Sequence, residues 1–194
     1  MTEKIKTEAK PAMDVFVYEL KIPRDRVAVI IGQNGETKRE LQRITNTKIE
    51  VESTEGIVTL SGKDALGLYT GREIINAIGR GFSPERAQML LDPENGYETM
   101  NLKDYARNET DLIRLRGRII GEDGKSRRVI EEMTDVYISV YGKTVGLIGN
   151  IEGLPVARRA IQAILGGSRH ATVFRWLEGQ RRKLRERRMQ GGSF

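Results

Sequence analysis

The sequence predicts an α+β fold made of two copies of one small unit in tandem, followed by a basic C-terminal helix. The first observation is an internal repeat, since a shift of 89 positions places Gly32 and Gly35 on Gly121 and Gly124. The second is an apolar pattern shared over about thirty residues, and the third is a cluster of arginines near the C-terminus. Self-similarity at a fixed spacing is typical of chains built from repeated units, so we expect two domains.

Each copy of the repeat begins with a pair of isoleucines, continues with a Gly-x-x-Gly motif and has an arginine four positions later. The first copy occupies residues 30–39 and the second residues 119–128. The same shift also pairs Thr45 with Thr134, Ile49 with Ile138, Val51 with Val140 and Val58 with Leu147. The glycine motifs therefore lie in matching apolar surroundings, which a chance match does not explain.

Charge and composition exclude several classes of protein. The net charge is +6, and residues 168–194 hold eight basic residues against two acidic ones, so this tail carries the whole excess. A concentrated basic helix is typical of proteins that bind nucleic acid, anionic lipid or an acidic partner. The chain has no cysteine, which excludes disulfides and thiolate metal sites and favours an intracellular, cytoplasmic protein. It shows no apolar run of membrane-spanning length and no signal peptide, and residues 1–12 are expected to be a disordered leader.

The first copy is predicted to contain strand, helix, glycine loop, helix, strand, strand and helix, in that order. The strands are expected at 15–22, 48–52 and 57–60, from alternating β-branched residues. The helices are expected at 24–31, where Pro23 can open the helix, at 36–45 and at 63–79.

A bridge from residue 80 to 96 joins the copies, and Ser83-Pro84-Glu85 predicts a helix start within it. The second copy is predicted to have strands at 97–105, 136–141 and 144–150. Its first helix is expected at 110–120, with Thr110 or Asp111 as the cap. A second helix is expected directly after Gly124, and a third at 154–165. A final helix at 170–189 has Val173, Trp176, Leu177 and Leu184 on a narrow apolar side.

A Gly-x-x-Gly loop before a helix lets a nucleic acid backbone approach bare amide groups, with its phosphates near a helix N-terminus. KH domains clamp about four nucleotides with such a loop. A single copy is more often a simple turn, but two copies in matching surroundings favour the KH interpretation. The predicted order of elements is that of a type I KH domain (βααββα). The expected bounds are 13–81 and 97–167 for the two KH domains, 82–96 for a helical linker and 168–194 for the basic helix.

Enzymatic alternatives find little support. Gly124-Lys125-Ser126 resembles the end of a nucleotide-hydrolase phosphate loop, but Ile119 occupies the position where that motif needs a glycine. His170 is the only histidine and has no metal-ligand or nucleophile pattern around it. We therefore predict no catalytic residues, no metal site, no cofactor and no enzymatic activity. A tandem KH adaptor in transcription or RNA decay shares every local feature, so this alternative stays open.

The segments 77–85 and 117–125, together with the tail that starts Val173-Phe174-Arg175-Trp176-Leu177, resemble one family. It is the archaeal form of the Partner-of-Nob family of small-subunit ribosome assembly factors. The resemblance implies a protein that binds the single-stranded 3′ end of small-subunit ribosomal RNA and assists its final processing. It also implies partnership with the Nob endonuclease and with the alpha subunit of translation initiation factor two.

The predicted RNA-binding residues come from both loops, the helices beside them and the tail. Those of the first copy are Ile31, Gly32, Gln33, Asn34, Gly35, Lys38 and Arg39. Those of the second copy are Arg116, Arg118, Ile120, Gly121, Glu122, Asp123, Gly124, Lys125, Arg127 and Arg128. Those of the tail are Arg181, Arg182, Lys183 and Arg185. One member of each isoleucine pair is expected in the core, and the other is expected to line a shallow groove for unpaired bases.

The two loops differ in charge. The residues between the glycines are Gln33-Asn34 in the first loop and Glu122-Asp123 in the second. Carboxylates repel an approaching phosphate, so either the basic flanks compensate or the second loop binds more weakly than its geometry suggests. From the sequence alone, either copy could dominate the binding.

Overall fold

The computed structural model describes residues 15–191, except for the side chains of residues 187, 188, 190 and 191. The predicted leader at 1–12 and the side chains of Arg187 and Arg188, which belong to the basic tail, lie outside the described residues. Within this range the chain forms two three-stranded antiparallel sheets, with strand orders β1-β3-β2 and β4-β6-β5. Helices cover each sheet, and the predicted α+β class with two type I KH units in tandem is confirmed.

The first unit follows the predicted order of elements. Its elements are β1 (Phe16–Lys21), α1 (Arg24–Ile31), α2 (Glu36–Thr45), β2 (Lys48–Glu52), β3 (Ile57–Gly62) and α3 (Ala65–Gly79). The third helix begins two residues later than expected, because the Asp64 side chain accepts a hydrogen bond from the N–H of Leu66 and so caps the helix. Ile49 lies opposite Leu60 in the ladder, and both are fully buried beneath the helices.

The second unit repeats this arrangement. Its elements are β4 (Asn95–Asn101), α5 (Glu109–Ile120), α6 (Lys125–Thr134), β5 (Val136–Tyr141), β6 (Thr144–Asn150) and α7 (Leu154–Leu165). Both units share a hydrogen bond between the side chain of a helix residue and the backbone of an edge strand. The N–H of Ile49 donates to the Gln42 side chain at 2.9 Å, and the N–H of Ile138 donates to the Glu131 side chain at 2.8 Å.

Three predicted boundaries in the second unit are wrong. The first strand begins at Asn95 and not at Tyr97, since Asn95 already pairs with Asn150 of β6. The first strand ends at Asn101 and not at Tyr105, because the Asn101 side chain accepts a hydrogen bond from the N–H of Lys103 and starts a 3-10 turn. The cap of α5 is Asn108 and not Thr110 or Asp111. The Asn108 side chain accepts from the N–H of Asp111 at 2.8 Å, and the helix therefore begins at Glu109.

The segment between the units is part of the folded core. It contains α4 (Pro84–Ala87), capped by Ser83 as the sequence predicts, and a 3-10 turn at Gln88–Leu91. Phe82 is 1% exposed, meets the Tyr97 ring edge-on at 6.4 Å and packs with the apolar residues of the first unit. Ile148 of β6 joins the same cluster. The outer face of the second sheet is therefore docked against the first unit, and this contact fixes the orientation of the two units.

Polar contacts reinforce this docking. The Ser139 hydroxyl donates to the carbonyl of Arg80 at 2.9 Å, and the Tyr141 hydroxyl donates to the Asp25 carboxylate. Burial and the Asp25 carboxylate raise the pKa of Tyr141, so the hydroxyl stays a donor at neutral pH.

The last helix, α8 (His170–Gly191), packs on the second unit. Val173, Leu177 and Leu184 are buried, as their spacing predicts, and Trp176 lies under the guanidinium of Arg159 at 5.3 Å. Full burial of one such leucine contributes roughly 1.5–3 kcal/mol to folding. Among the described residues no helix is both long and apolar enough to cross a membrane.

Candidate nucleic-acid interface

The two Gly-x-x-Gly loops have the same backbone conformation. Gly32 has φ 71° and ψ 179°, and Gly121 has φ 73° and ψ 176°. The second glycine of each motif, Gly35 or Gly124, is left-handed and precedes a ten-residue helix. Each loop therefore ends at the N-terminus of a helix, where the partial positive charge of the backbone favours an anion.

The first glycine of each motif is required for two reasons. A positive φ is unfavourable for residues that carry a Cβ. A Cβ at Gly32 would also lie 2.1 Å from the Thr37 hydroxyl oxygen, and one at Gly121 would lie 2.7 Å from the Ser126 Cβ. The chain at this glycine therefore lies directly against the first turn of the following helix.

The isoleucine pairs divide between the core and the surface. Ile30 and Ile119 are fully buried, whereas Ile31 and Ile120 are half-buried beside the loops. The half-buried member of each pair keeps part of its surface accessible beside the loop, and its contact with a base of RNA stays a prediction.

The basic residues after the loops lie close to the glycines. A Cβ built on Gly35 would lie 3.5 Å from the Arg39 guanidinium, and one on Gly124 would lie 3.8 Å from that of Arg127. The Arg128 guanidinium donates to the carbonyl of Asp123 at 2.7 Å. Lys38 is half-buried and Lys125 is exposed at the start of α6. The structure thus brings these predicted residues together around the loops.

Arg116 and Arg118 differ in their surroundings. Arg116 is exposed and lies 3.5 Å from the carbonyl of Gly142, in the turn between β5 and β6. The Arg118 guanidinium instead donates to the carbonyl of Ser168 at 2.7 Å, and His170 contacts the carbonyl of Arg118 at 2.8 Å. Arg118 therefore holds the turn before α8, so the structure gives it a packing role, whereas its predicted contact with RNA is untested.

The basic residues of the tail lie on several sides of α8. Arg181 is half-buried with its guanidinium 3.9 Å from the Met133 sulfur, whereas Arg182, Lys183 and Arg185 are exposed. Leu184 is buried between them. The exposed charges thus stand around a helix that is anchored on the second unit, in reach of a polyanion passing over it.

One of the two acidic residues of the second loop, Asp123, has a conformational explanation. Asp123 has φ 49° and its counterpart Asn34 has φ 51°. Asparagine and aspartate tolerate the left-handed region better than other residues that carry a Cβ. Glu122, in contrast, has ordinary geometry, and nothing in the structure explains its choice over a neutral residue.

Sequence reasoning missed two arginines near this interface. Arg26 of α1 and Arg86 of α4 belong to the first half of the chain, yet they line a cavity shared with Arg127. Linear spacing gives no signal for this juxtaposition, because it depends on how the two units dock.

Comparison with known proteins agrees with this geometry. Residues 17–77 match the family model of the KH domain, and residues 96–182 match that of the second KH domain of PNO1, described as a eukaryotic-type KH domain of type I. The KH domain-containing protein MJ0443 of Methanocaldococcus jannaschii is 41% identical over 91% of this chain and 79% of its own length. The chain belongs to the Partner-of-Nob family.

Two further relatives lie within the Partner-of-Nob family. The pre-rRNA-processing protein PNO1 of Debaryomyces hansenii is 27% identical over 95% of this chain and 75% of its own length. Dim2p of Pyrococcus horikoshii OT3, solved in a complex with a/eIF2alpha and rRNA, is 43% identical with a TM-score of 0.82. That match covers 87% of this chain and 96% of Dim2p. The predicted Partner-of-Nob resemblance is therefore confirmed, and both glycine motifs of this member are intact.

Proposed function

We propose that this protein is a non-enzymatic assembly factor of the small ribosomal subunit that binds the single-stranded 3′ end of its ribosomal RNA. The observation that carries the proposal is the similarity to Dim2p, which was solved together with rRNA. The two loops supply a physical basis, because each presents an open backbone and a helix N-terminus to a phosphate chain. The KH units at 13–81 and 97–167, the linker at 82–96 and the helix at 168–194 are the proposed working parts.

The proposed partners follow from the same relatives. Dim2p of P. horikoshii forms its complex with a/eIF2alpha, and PNO1 of D. hansenii is a pre-rRNA-processing protein. We expect this chain to contact the alpha subunit of initiation factor two and to assist the Nob endonuclease at the final cut. Its contribution to that cut is to hold the RNA strand, since a KH domain binds extended single strands.

Two measurements test the proposal. Crosslinking in cells, followed by sequencing of the bound RNA, should recover the 3′ end of the small-subunit ribosomal RNA. Recovery of messenger or decay intermediates instead would support a tandem KH adaptor in transcription or RNA decay. Purified protein with 3′-end RNA fragments, with or without Mg²⁺ or ATP, should leave the RNA intact. Cleavage that persists through stringent purification would contradict a non-enzymatic role.

A further inference from the structure

A polar cavity of about 230 Å³ lies where the first unit and the linker meet the second unit. One wall comes from α6 and β5 of the second unit. The other comes from α1 of the first unit and from the segment that enters α4. We call it the junction cavity. Its lining includes three arginines, Arg26, Arg86 and Arg127, and the hydroxyl residues Ser83, Ser139 and Tyr141. Its volume is far above the roughly 10–15 Å³ that one water needs, so it can hold a larger polar group.

The arginines from the first half of the chain are held in place by contacts that leave their charge unpaired. The Arg26 guanidinium donates to the carbonyls of Ile78 at 2.8 Å and Phe82 at 2.6 Å. Arg86 lies over the ring of Tyr137 with its guanidinium carbon 4.7 Å from the ring centre. Among the described residues neither Arg26 nor Arg86 forms an ion pair.

Arg127 of α6 adds a third positive charge from the opposite wall of the junction cavity. Its only ion pair within the described part of the chain is a long one, 3.8 Å from Nε to a Glu131 carboxylate oxygen. The other oxygen of Glu131 accepts the N–H of Ile138. The Arg127 Nε is buried without a hydrogen-bond partner in the same part of the chain. The nearby Asp25 carboxylate accepts a hydrogen bond from the Tyr141 hydroxyl. Two carboxylates, those of Glu131 and Asp25, therefore lie near three guanidinium groups, which leaves an excess of one positive charge for an anion.

We propose that the junction cavity holds a backbone phosphate of an RNA strand that follows the second glycine loop. Guanidinium groups are donors only and fit the oxygens of a phosphate, whereas a base also presents donors that would find few acceptors here. An anion between the three arginines also relieves their mutual repulsion. The position suits a strand of RNA, because β5 is the edge strand of its sheet and Arg127 belongs to the helix after that loop.

The junction cavity makes the RNA-binding groove of the second unit composite, because the first unit supplies one wall of this cavity. Arg127 corresponds to Lys38 in the repeat, and Lys38 lies within electrostatic reach of the Glu50 carboxylate. The open depression beside α2 is lined by Glu36, Arg39, Glu40 and Arg43, with acids and bases in equal number. The positive charge of the junction cavity therefore offsets the negative charge of the Glu122-Asp123 pair. The second unit accordingly makes the stronger contact with the RNA backbone.

This inference rests on the proposed function and is tested with variants of Arg86. Because Arg86 is exposed and its side chain forms no hydrogen bond with described residues, Arg86→Gln should fold normally, which circular dichroism checks. The matched control is Arg107→Gln, an exposed arginine that precedes α5 and so lies about 18 Å of helix away from the second loop. The probe is a single-stranded RNA oligonucleotide with the sequence of the small-subunit ribosomal RNA 3′ end, titrated at several salt concentrations.

We expect Arg86→Gln to weaken RNA binding roughly tenfold and to make the salt slope shallower by roughly 0.7, as when one phosphate of a single strand is no longer bound. Arg86→Lys should recover part of the affinity, and Arg107→Gln should bind as the parent does. A scan with single methylphosphonate linkages should find one position that weakens the parent but not Arg86→Gln. If Arg86→Gln binds the RNA as tightly as Arg107→Gln does, the phosphate site in the junction cavity is refuted and the proposed function stands. If the parent itself does not bind the RNA, both are refuted.

Discussion

The ring of Phe82, from the segment that joins the two units, lies against the backbone of Gly146 in the centre of the second sheet. A Cβ at Gly146 would come within 2.7 Å of the Phe82 ring. Phe82 is 1% exposed and belongs to the apolar cluster of the first unit. The glycine thus leaves space for the ring, and this pair is a main reason why the two units form one body.

We first predict a size complementarity between these two positions. Gly146→Ala should destabilise the protein by about 1–3 kcal/mol through overpacking. Phe82→Leu should also destabilise it, but the double variant should lose less than the sum, because the shorter side chain frees the space that the new methyl needs. Urea unfolding of the four proteins measures this coupling. Strictly additive losses would show that the two residues do not press on one another in solution.

The second prediction separates two kinds of glycine. Gly121→Ala should cost about 1–3 kcal/mol, because its φ of 73° is strained for alanine and the new Cβ meets Ser126. Gly117→Ala, in α5 four residues earlier, should stabilise the protein by about 0.5–1 kcal/mol, since nothing lies within 4 Å of its added Cβ. Chemical denaturation of both variants checks the signs. A stabilising Gly121→Ala would contradict the loop geometry.

The third prediction concerns the charge of the loops. Glu122→Gln with Asp123→Asn should raise the affinity for RNA about threefold to tenfold, because two carboxylates no longer repel the phosphates. Gln33→Asp with Asn34→Asp in the first loop should lower it. Asp104→Asn with Glu152→Gln removes two exposed charges outside the loops and serves as the control. Fluorescence anisotropy with a single-stranded RNA gives the affinities. Unchanged binding in both loop variants would refute backbone contact at the loops.

The fourth prediction concerns the basic residues of α8. Changing Arg182, Lys183 and Arg185 together to glutamine should weaken binding to cognate and unrelated RNA about equally, since such contacts are mainly to phosphate. The salt slope should fall by roughly 0.7 for each phosphate that the helix no longer binds. All three residues are exposed, so the buried Leu184 stays in place and the helix remains anchored.

Two other outcomes would contradict that view of α8. An unchanged affinity would reduce the helix to a packing element of the second unit. A decrease confined to the cognate RNA would make it a specificity element. The charge-preserving variant with Arg182→Lys and Arg185→Lys should keep most of the affinity under our prediction.

The fifth prediction uses Tyr97, whose hydroxyl is buried without a hydrogen-bond partner among the described residues. Tyr97→Phe should stabilise the protein by about 1 kcal/mol, because an unsatisfied buried hydroxyl is costly. Burial raises the pKa of Tyr97 above its ordinary value of 10.0. Ionisation of this phenol is therefore less favourable in the folded state than in the unfolded one. The parent keeps its full free energy of unfolding below about pH 10 and loses part of it as the pH rises towards the folded pKa. Thermal melts should show a steeper alkaline decline for the parent than for Tyr97→Phe, and equal slopes would contradict the assignment.

The sequence predicted the two units and nearly every element because those signals are local. Alternation predicted β2 and helical spacing predicted α7, and the glycines marked both loops. Boundaries failed where a side-chain cap decided the start, as at Asn108, because several neighbouring residues could serve as that cap. The 89-residue repeat and the segments 77–85 and 117–125 were sufficient to predict the family, because these motifs can be read directly from the order of residues.

The docking of the units was decided only by the tertiary structure. The segment around Phe82 resembled a connector in the sequence, yet its ring fills a space that exists only over Gly146. Likewise, Arg26 and Arg86 are separated from Arg127 by 101 and 41 positions, and no local pattern relates them. Local propensity acts between near neighbours along the chain. The composition of a groove shared by two units depends instead on which surfaces bury one another, and that becomes defined only when both units are folded.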